Sequence, residues 1–141
     1  MNLSLKKVKY FDVMSEETPC FTAELYDNGV HVATVKNNGH GGSNSVYPTN
    51  GRKYSDVAQY DNLDVECDIF GMVYDYDTVT KHQNKGLVIR KDSDVAEEIS
   101  LVSFGKHTIS KLKKTPQGLA HIQKSKQKYI SEGYQVLNRN L

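Results

Sequence analysis

Phe21-Thr-Ala-Glu-Leu-Tyr-Asp27-Asn28-Gly29-Val30-His-Val-Ala-Thr-Val-Lys36 is the stretch that decides the fold class. Asn28-Gly29 supplies the two positive-φ residues that a type I′ turn needs, so the runs on either side read as a β-hairpin. Phe21, Ala23 and Leu25 fall on one face by the period of two. Val30, Val32 and Thr34, or else His31, Ala33 and Val35, supply the returning face. Upstream, Leu3, Leu5, Val8 and Tyr10 alternate loosely, which predicts a strand over Leu3 to Val13. A turn rich in Ser, Glu and Thr joins it to the hairpin, and the three strands read as an antiparallel meander.

Downstream of the hairpin lies Asn37-Asn38-Gly39-His40-Gly41-Gly42-Ser43-Asn44. Three glycines close together can expose neighbouring backbone N–H groups, and such a nest suits an anion or a main-chain oxygen. Asn38, His40, Gly41, Gly42 and Asn44 are the candidate ligand contacts of this loop. The competing reading is a glycine-rich connector. It is neither a dinucleotide fingerprint nor a Walker loop, because the glycine spacing and a Gly-Lys-Ser/Thr ending are both missing. Tyr47-Pro48-Thr49-Asn50-Gly51 reads as a second turn cluster.

Val65, Ile69, Met72, Val73, Tyr76 and Val79 recur at helical spacing, which favours a helix over about Asp64 to Lys81. Gly71 and the Val, Tyr and Thr residues are mediocre helix formers, so a strand over Ile69 to Tyr76 competes. In a helix, Asp64, Asp68 and Asp75 fall within about 40° of one another at roughly 100° per residue. Gly86 to Arg90 and Ile99 to Phe104 read as strands, joined by a segment opening with Lys91-Asp92-Ser93-Asp94. Ile109 and Leu112 begin a helical turn. Thr115-Pro116 marks a helix start over Gln117 to Glu132, with Thr as cap and Pro at the first position. Leu119, Ile122, Tyr129 and Ile130 form its apolar face. Gly133 stops it, and Tyr134 to Leu137 reads as a last strand. The whole predicts one α+β domain over residues 1–141: an antiparallel sheet of about five strands with two to three helices on one face.

The chain has 141 residues, of which 38% are hydrophobic and 25% charged. That range fits a globular protein with a real core. No apolar run approaches the roughly 20 residues of a membrane span, and Lys6, Lys7 and Lys9 are followed by no signal-peptide core. The two cysteines, Cys20 and Cys67, make no disulfide framework and read as reduced and partly buried. A cytoplasmic location and no membrane partner are the expectation.

Net charge is +1, yet Met1 to Phe104 carries 10 Lys/Arg against 16 Asp/Glu, while Gly105 to Leu141 carries 8 against 1. Seven acids and no base lie between Lys53 and Lys81. Asp61, Asp64, Asp68, Tyr74, Asp75, Tyr76 and Asp77 interleave ordered negative charge with flat aromatic area. Such a surface can imitate a nucleic-acid backbone and occupy a basic channel of another protein. The plain alternative is an acidic solvated face. Lys111, Lys113, Lys114, Lys124 and Lys128 could instead track phosphates, although Arg139 is the only arginine in that region. No histidine pair has metal-ligand spacing, and no Gly-x-Ser-x-Gly elbow is present. No catalytic residue, metal or cofactor is expected.

Phe21-Thr-Ala-Glu-Leu-Tyr26, Asn28-Gly29, Asn38-Gly-His-Gly-Gly42 and the closing Glu132-Gly-Tyr-Gln-Val-Leu-Asn-Arg-Asn-Leu141 resemble small proteins of bacteriophages and gut-bacterial mobile elements. Proteins of this length and style include anti-CRISPR inhibitors of Cas9. The resemblance implies a non-enzymatic binder of a host defence protein, a Cas9-type effector first, acting in the bacterial cytoplasm. It carries over no functional residue. Two other classes stay open: a nucleic-acid-binding accessory protein using the lysines, and a small-ligand module built on the 37–44 loop.

Overall fold

A computed structural model describes residues 1–92 and 98–141. Its elements run β1 (Leu3–Tyr10), β2 (Cys20–Asp27), β3 (Val30–Asn38), β4 (Ser45–Pro48), α1 (Leu63–His82), β5 (Gly86–Lys91), β6 (Ser100–Ser103), α2 (Ile109–Leu112), α3 (Pro116–Ser131) and β7 (Tyr134–Val136). Short 3₁₀ turns occur at Asp12–Met14, Tyr54–Asp56 and Ala58–Asp61. The class is α+β, as the sequence implied. The strands, however, divide between two antiparallel sheets, one ordered β1-β2-β3-β4 and one ordered β6-β5-β7. They belong to two compact units, Met1–Asp77 and Thr78–Leu141. Of the segment expected to join β5 to β6, Ser93 and Asp94 lie outside the described residues.

In the first unit the Asn28-Gly29 turn forms as expected, with φ of 50° and 79°. Leu25 pairs with Ala33 but Tyr26 pairs with His31, so Val32 is an extra residue and β3 bulges there. Beyond the bulge, Ala33 and Val35 lie opposite Leu25 and Ala23 on the core face. The choice between the two returning faces is therefore settled by the bulge, and Val32 is buried as well. β1 has its own irregularity between Lys6 and Lys9, with Lys7 at φ 50°. β4 is a fourth strand where a turn cluster was expected: Val46 pairs with Val35 and Tyr47 with Thr34.

α1 forms across the whole expected span, and the competing strand over Ile69 to Tyr76 does not. Asn62 caps it: its side chain accepts from the Val65 N–H at 3.0 Å. Asp64 and Glu66 sit in the first turn, Lys81 and His82 in the last, each matched to the helix dipole. Val65, Ile69 and Val73 are buried with Phe21, Leu25, Val35 and Val46 in one core. Burying each such side chain is worth about 1.5–3 kcal/mol, which outweighs the roughly 1 kcal/mol that Gly71, or the several tenths that a β-branched residue, costs a helix.

In the second unit Leu87, Ile89, Ile109 and Ile122 form the core. Thr115 caps α3, accepting from the Gly118 N–H at 3.0 Å, with Pro116 in the first turn. Gly118 is buried against α2: a Cβ there would stand 1.9 Å from the Leu112 carbonyl oxygen. That contact rotates α3 away from the expected register. Leu119 and Ile130 are 44% and 47% exposed rather than core-facing. Asn138 ties the C-terminal residues to β5: its Oδ1 accepts from Val88 N–H at 2.8 Å and its Nδ2 donates to Gly86 O at 2.9 Å.

Candidate functional sites

Three regions singled out by residue type take definite shapes. On α1, Asp64 and Asp68 are exposed and Asp75 partly so; the three fall along one ridge at their spacing of four and seven. Among the described residues no ion pair involves Asp64 or Asp68. Cys67 is exposed beside this ridge, contrary to the expectation of partial burial, while Cys20 is buried. An open cleft of about 410 Å³ borders the ridge, lined by Leu3, Val65, Cys67, Asp68, Met72 and Asp75 among others.

The remaining members of the acidic set do not join this ridge. Tyr74 is 48% exposed and its ring meets Tyr10 edge-on, with centroids 5.9 Å apart. Burial pushes the Tyr10 hydroxyl above its ordinary pKa. Tyr76 and Asp77 are half-buried, and their positions fall on other sides of the helix. Asp61 precedes α1 and accepts a short hydrogen bond from the Tyr54 hydroxyl. That carboxylate raises the Tyr54 pKa.

The 37–44 loop is built inward. Gly39 N–H donates to Asn37 Oδ1 at 2.9 Å, His40 N–H to Asn38 Oδ1 at 3.0 Å, and Gly41 N–H to Thr18 Oγ1 at 3.4 Å. Asn44 N–H donates to the Glu66 carboxylate. Of the glycine N–H groups expected to form an open nest, those of Gly39 and Gly41 are already used. Asn37 is 7% exposed and holds the loop: it accepts from Thr18 Oγ1 at 2.7 Å and donates to Gly42 O and to Asn44 Oδ1 at 3.3 and 3.1 Å. Gly39 returns the contact, its carbonyl accepting from the N–H groups of Glu16, Glu17 and Thr18 at 2.9, 3.0 and 3.5 Å. His40 is exposed, with Nδ1 3.0 Å from Glu16 Oε2.

Asn37 and Glu66 were missed as structural centres. A signal for Asn37 existed: it continues the core-facing alternation of Ala33 and Val35. Glu66 had none, since it stood as one acid in an acidic run, yet it is 7% exposed.

The lysines remain outward. Lys111, Lys113, Lys114, Lys124 and Lys128 are all exposed. Lys113 Nζ donates to Asn140 O at 2.6 Å, and Lys128 Nζ lies 5.5 Å from the Tyr129 ring. His121 packs its ring on Phe104, with centroids 5.1 Å apart. Among the described residues no cluster of His, Cys, Asp or Glu could hold a metal ion, and no helix is long and apolar enough to cross a membrane. Comparison with protein-family models, with curated proteins and with solved structures gave no match.

Proposed function

We propose that this chain is a non-enzymatic binding protein whose α1 ridge docks on a basic, nucleic-acid-handling surface of a host defence protein. The observation that supports this reading is the ridge itself: Asp64, Asp68 and Asp75 on one side of a helix whose other side is anchored in the core. The three carboxylates extend over about 17 Å of helix axis at 1.5 Å per residue. Duplex DNA carries roughly ten phosphates in that length, so the ridge is a sparse imitation. Its charge steers the encounter. Holding the partner falls to the contact area of Tyr74 and of the cleft beside Met72.

The sequence resemblance makes a Cas9-type effector the first partner to test, since such effectors hold nucleic acid in positively charged channels. The experiment is a pull-down with guide-loaded and guide-free effector, comparing the native chain with the D64K/D68K/D75K variant. Capture by the native chain and its loss in the variant is the expected result. Capture that survives the triple reversal refutes docking through the ridge.

The exposed lysines of the second unit favour a second reading, backbone contact with nucleic acid. It requires binding to plain DNA or RNA that weakens steeply with salt and is lost on reversing Lys124 and Lys128.

A further inference from the structure

The first unit has a second face that the acidic ridge does not use. Pairing partners share a side of a sheet, so the register defines both sides. α1 packs on the side of Phe21, Ala23, Leu25, Ala33, Val35 and Val46. The opposite side carries Lys6 and Lys9 on β1, Thr22, Glu24 and Tyr26 on β2, His31, Thr34 and Lys36 on β3, and Ser45 and Tyr47 on β4. Lys6, Lys9, Lys36 and Tyr47 are exposed. The one acid among these paired positions, Glu24, is met by Lys7 at 3.3 Å. Lys6, Lys9 and Lys36 are left as a net positive face, the opposite sign to the α1 ridge.

Cations and rings alternate on this face. Lys36 Nζ lies 5.4 Å from the Tyr47 ring, which is 51% exposed. Lys6 Nζ lies 4.4 Å from the Tyr26 ring, and Tyr26 stacks on His31 with centroids 5.0 Å apart and planes 16° apart. Tyr47 and Tyr26 are separated by two strand spacings and two residues, about 12 Å on ordinary sheet dimensions. An open cleft of about 400 Å³ adjoins Tyr47, lined also by Phe11, Thr22, Lys36, Asn38 and Ser43. It offers a ring to stack on, a cation beside it, and amide and hydroxyl groups at its rim.

We infer that this sheet face binds single-stranded nucleic acid, with a base stacked on Tyr47 and phosphates on Lys36, Lys6 and Lys9. The charge selects a polyanion. The exposed ring beside a cation selects one whose bases are unpaired, since a base in a duplex has no free π-face. The ligand class is a short stretch of single-stranded DNA or RNA read without base-edge contacts, because no arginine sits among these positions.

The test is fluorescence anisotropy of labelled oligo-dT and oligo-U with the full chain. Neutralising three phosphates on a single strand predicts a log–log salt slope of about −2. Tyr47→Ala should weaken binding roughly tenfold, the usual loss of one stacked base. The K6E/K36E variant should weaken it at least about tenfold and flatten the salt slope. All these substitutions are at exposed positions, and matching circular dichroism confirms the fold. K124E/K128E should leave binding unchanged, and D64K/D68K/D75K should not weaken it, which separates this face from both readings of function above. The inference is overturned if the native chain binds neither oligonucleotide at moderate salt. It is equally overturned if duplex competes as well as single strand, if Tyr47→Ala binds normally, or if the α3 reversal abolishes binding.

Discussion

Gly39→Ala should destabilise the first unit far more than Gly42→Ala, although both glycines lie in one loop at nearly the same φ, +85° and +89°. A left-handed φ costs a non-glycine residue about 1–2 kcal/mol, and both variants carry that cost. At Gly42 nothing lies within 4 Å of the added methyl. At Gly39 the methyl would stand 2.3 Å from the Met14 carbonyl oxygen and 3.0 Å from Cys20 Cβ. Relieving the first contact takes a shift of about 1 Å between loop and turn, toward ordinary van der Waals separation. That shift strains the three N–H groups of Glu16, Glu17 and Thr18 that converge on the Gly39 carbonyl. Losing two of them at about 1 kcal/mol each brings the total for Gly39→Ala to about 3–4 kcal/mol. The excess over Gly42→Ala is about 2 kcal/mol, which in urea lowers the midpoint by roughly 1 M at an ordinary m-value. Urea unfolding of the full chain measures it. If the two units melt separately, only the transition of residues 1–77 should move. Midpoints for the two variants that agree within error would refute the view that this loop is locked against the Asp12–Met14 turn.

Glu66→Leu should cost about 1–3 kcal/mol, because it leaves the buried Asn44 N–H without an acceptor, whereas Glu66→Gln, which keeps an acceptor oxygen, should cost less; urea midpoints of the two decide it. The pKa values of Tyr10 and Tyr60 are raised mainly by burial, and that of Tyr54 by the Asp61 carboxylate. A folded state that holds these protons more tightly than the unfolded chain loses stability as pH rises past the ordinary tyrosine value of 10.0. Tyrosinate absorbance should therefore show late-titrating groups that revert to ordinary behaviour in denaturant. Asp27 works in the other direction: the Tyr60 hydroxyl, donating at 2.7 Å, lowers its pKa. Its contribution is present above the ordinary value of 3.8 and fades as pH falls below it. Tyr60→Phe should remove that acid-side effect in thermal melts across pH.

Local chemistry made most elements readable. Asn28-Gly29 fixed the hairpin, and Thr115-Pro116 fixed the start of α3, because each is a backbone preference that neighbours seldom override. α1 was readable from the spacing of Val65, Ile69 and Val73 despite poor helix formers, since packing dominates propensity. β4 was not, because Ser45 to Pro48 is too short to show a period and ends in a residue that signals a turn. The division of the strands between two sheets was not readable either, because pairing choice is a tertiary matter. The Val32 bulge and the close approach at Gly118 each rotated a face by part of a turn, which no residue count reveals. Of the candidate sites, Asp64, Asp68 and Asp75 came together as their spacing required. Tyr76 and Asp77, next to them in sequence, did not. The glycine loop was noticed for its small residues, but Gly39 and Asn44 donate into the protein to Asn37 and Glu66, two polar residues whose burial only the folded chain exposes.

The kink at Lys7 bears on how crowded copies of this protein meet. β1 and β4 are the outermost strands of the four-stranded sheet, and an outermost strand is a template for a foreign strand when it is long and flat. β1 is neither flat nor neutral: it bends at Lys7 and carries three lysines. A newcomer would have to straighten the bend and strip water from those amines. β4 offers four residues and closes on Pro48, which has no N–H to give. Joining of one molecule to another through the four-stranded sheet is thus disfavoured at both of its margins, at the first by charge and shape and at the second by a missing donor.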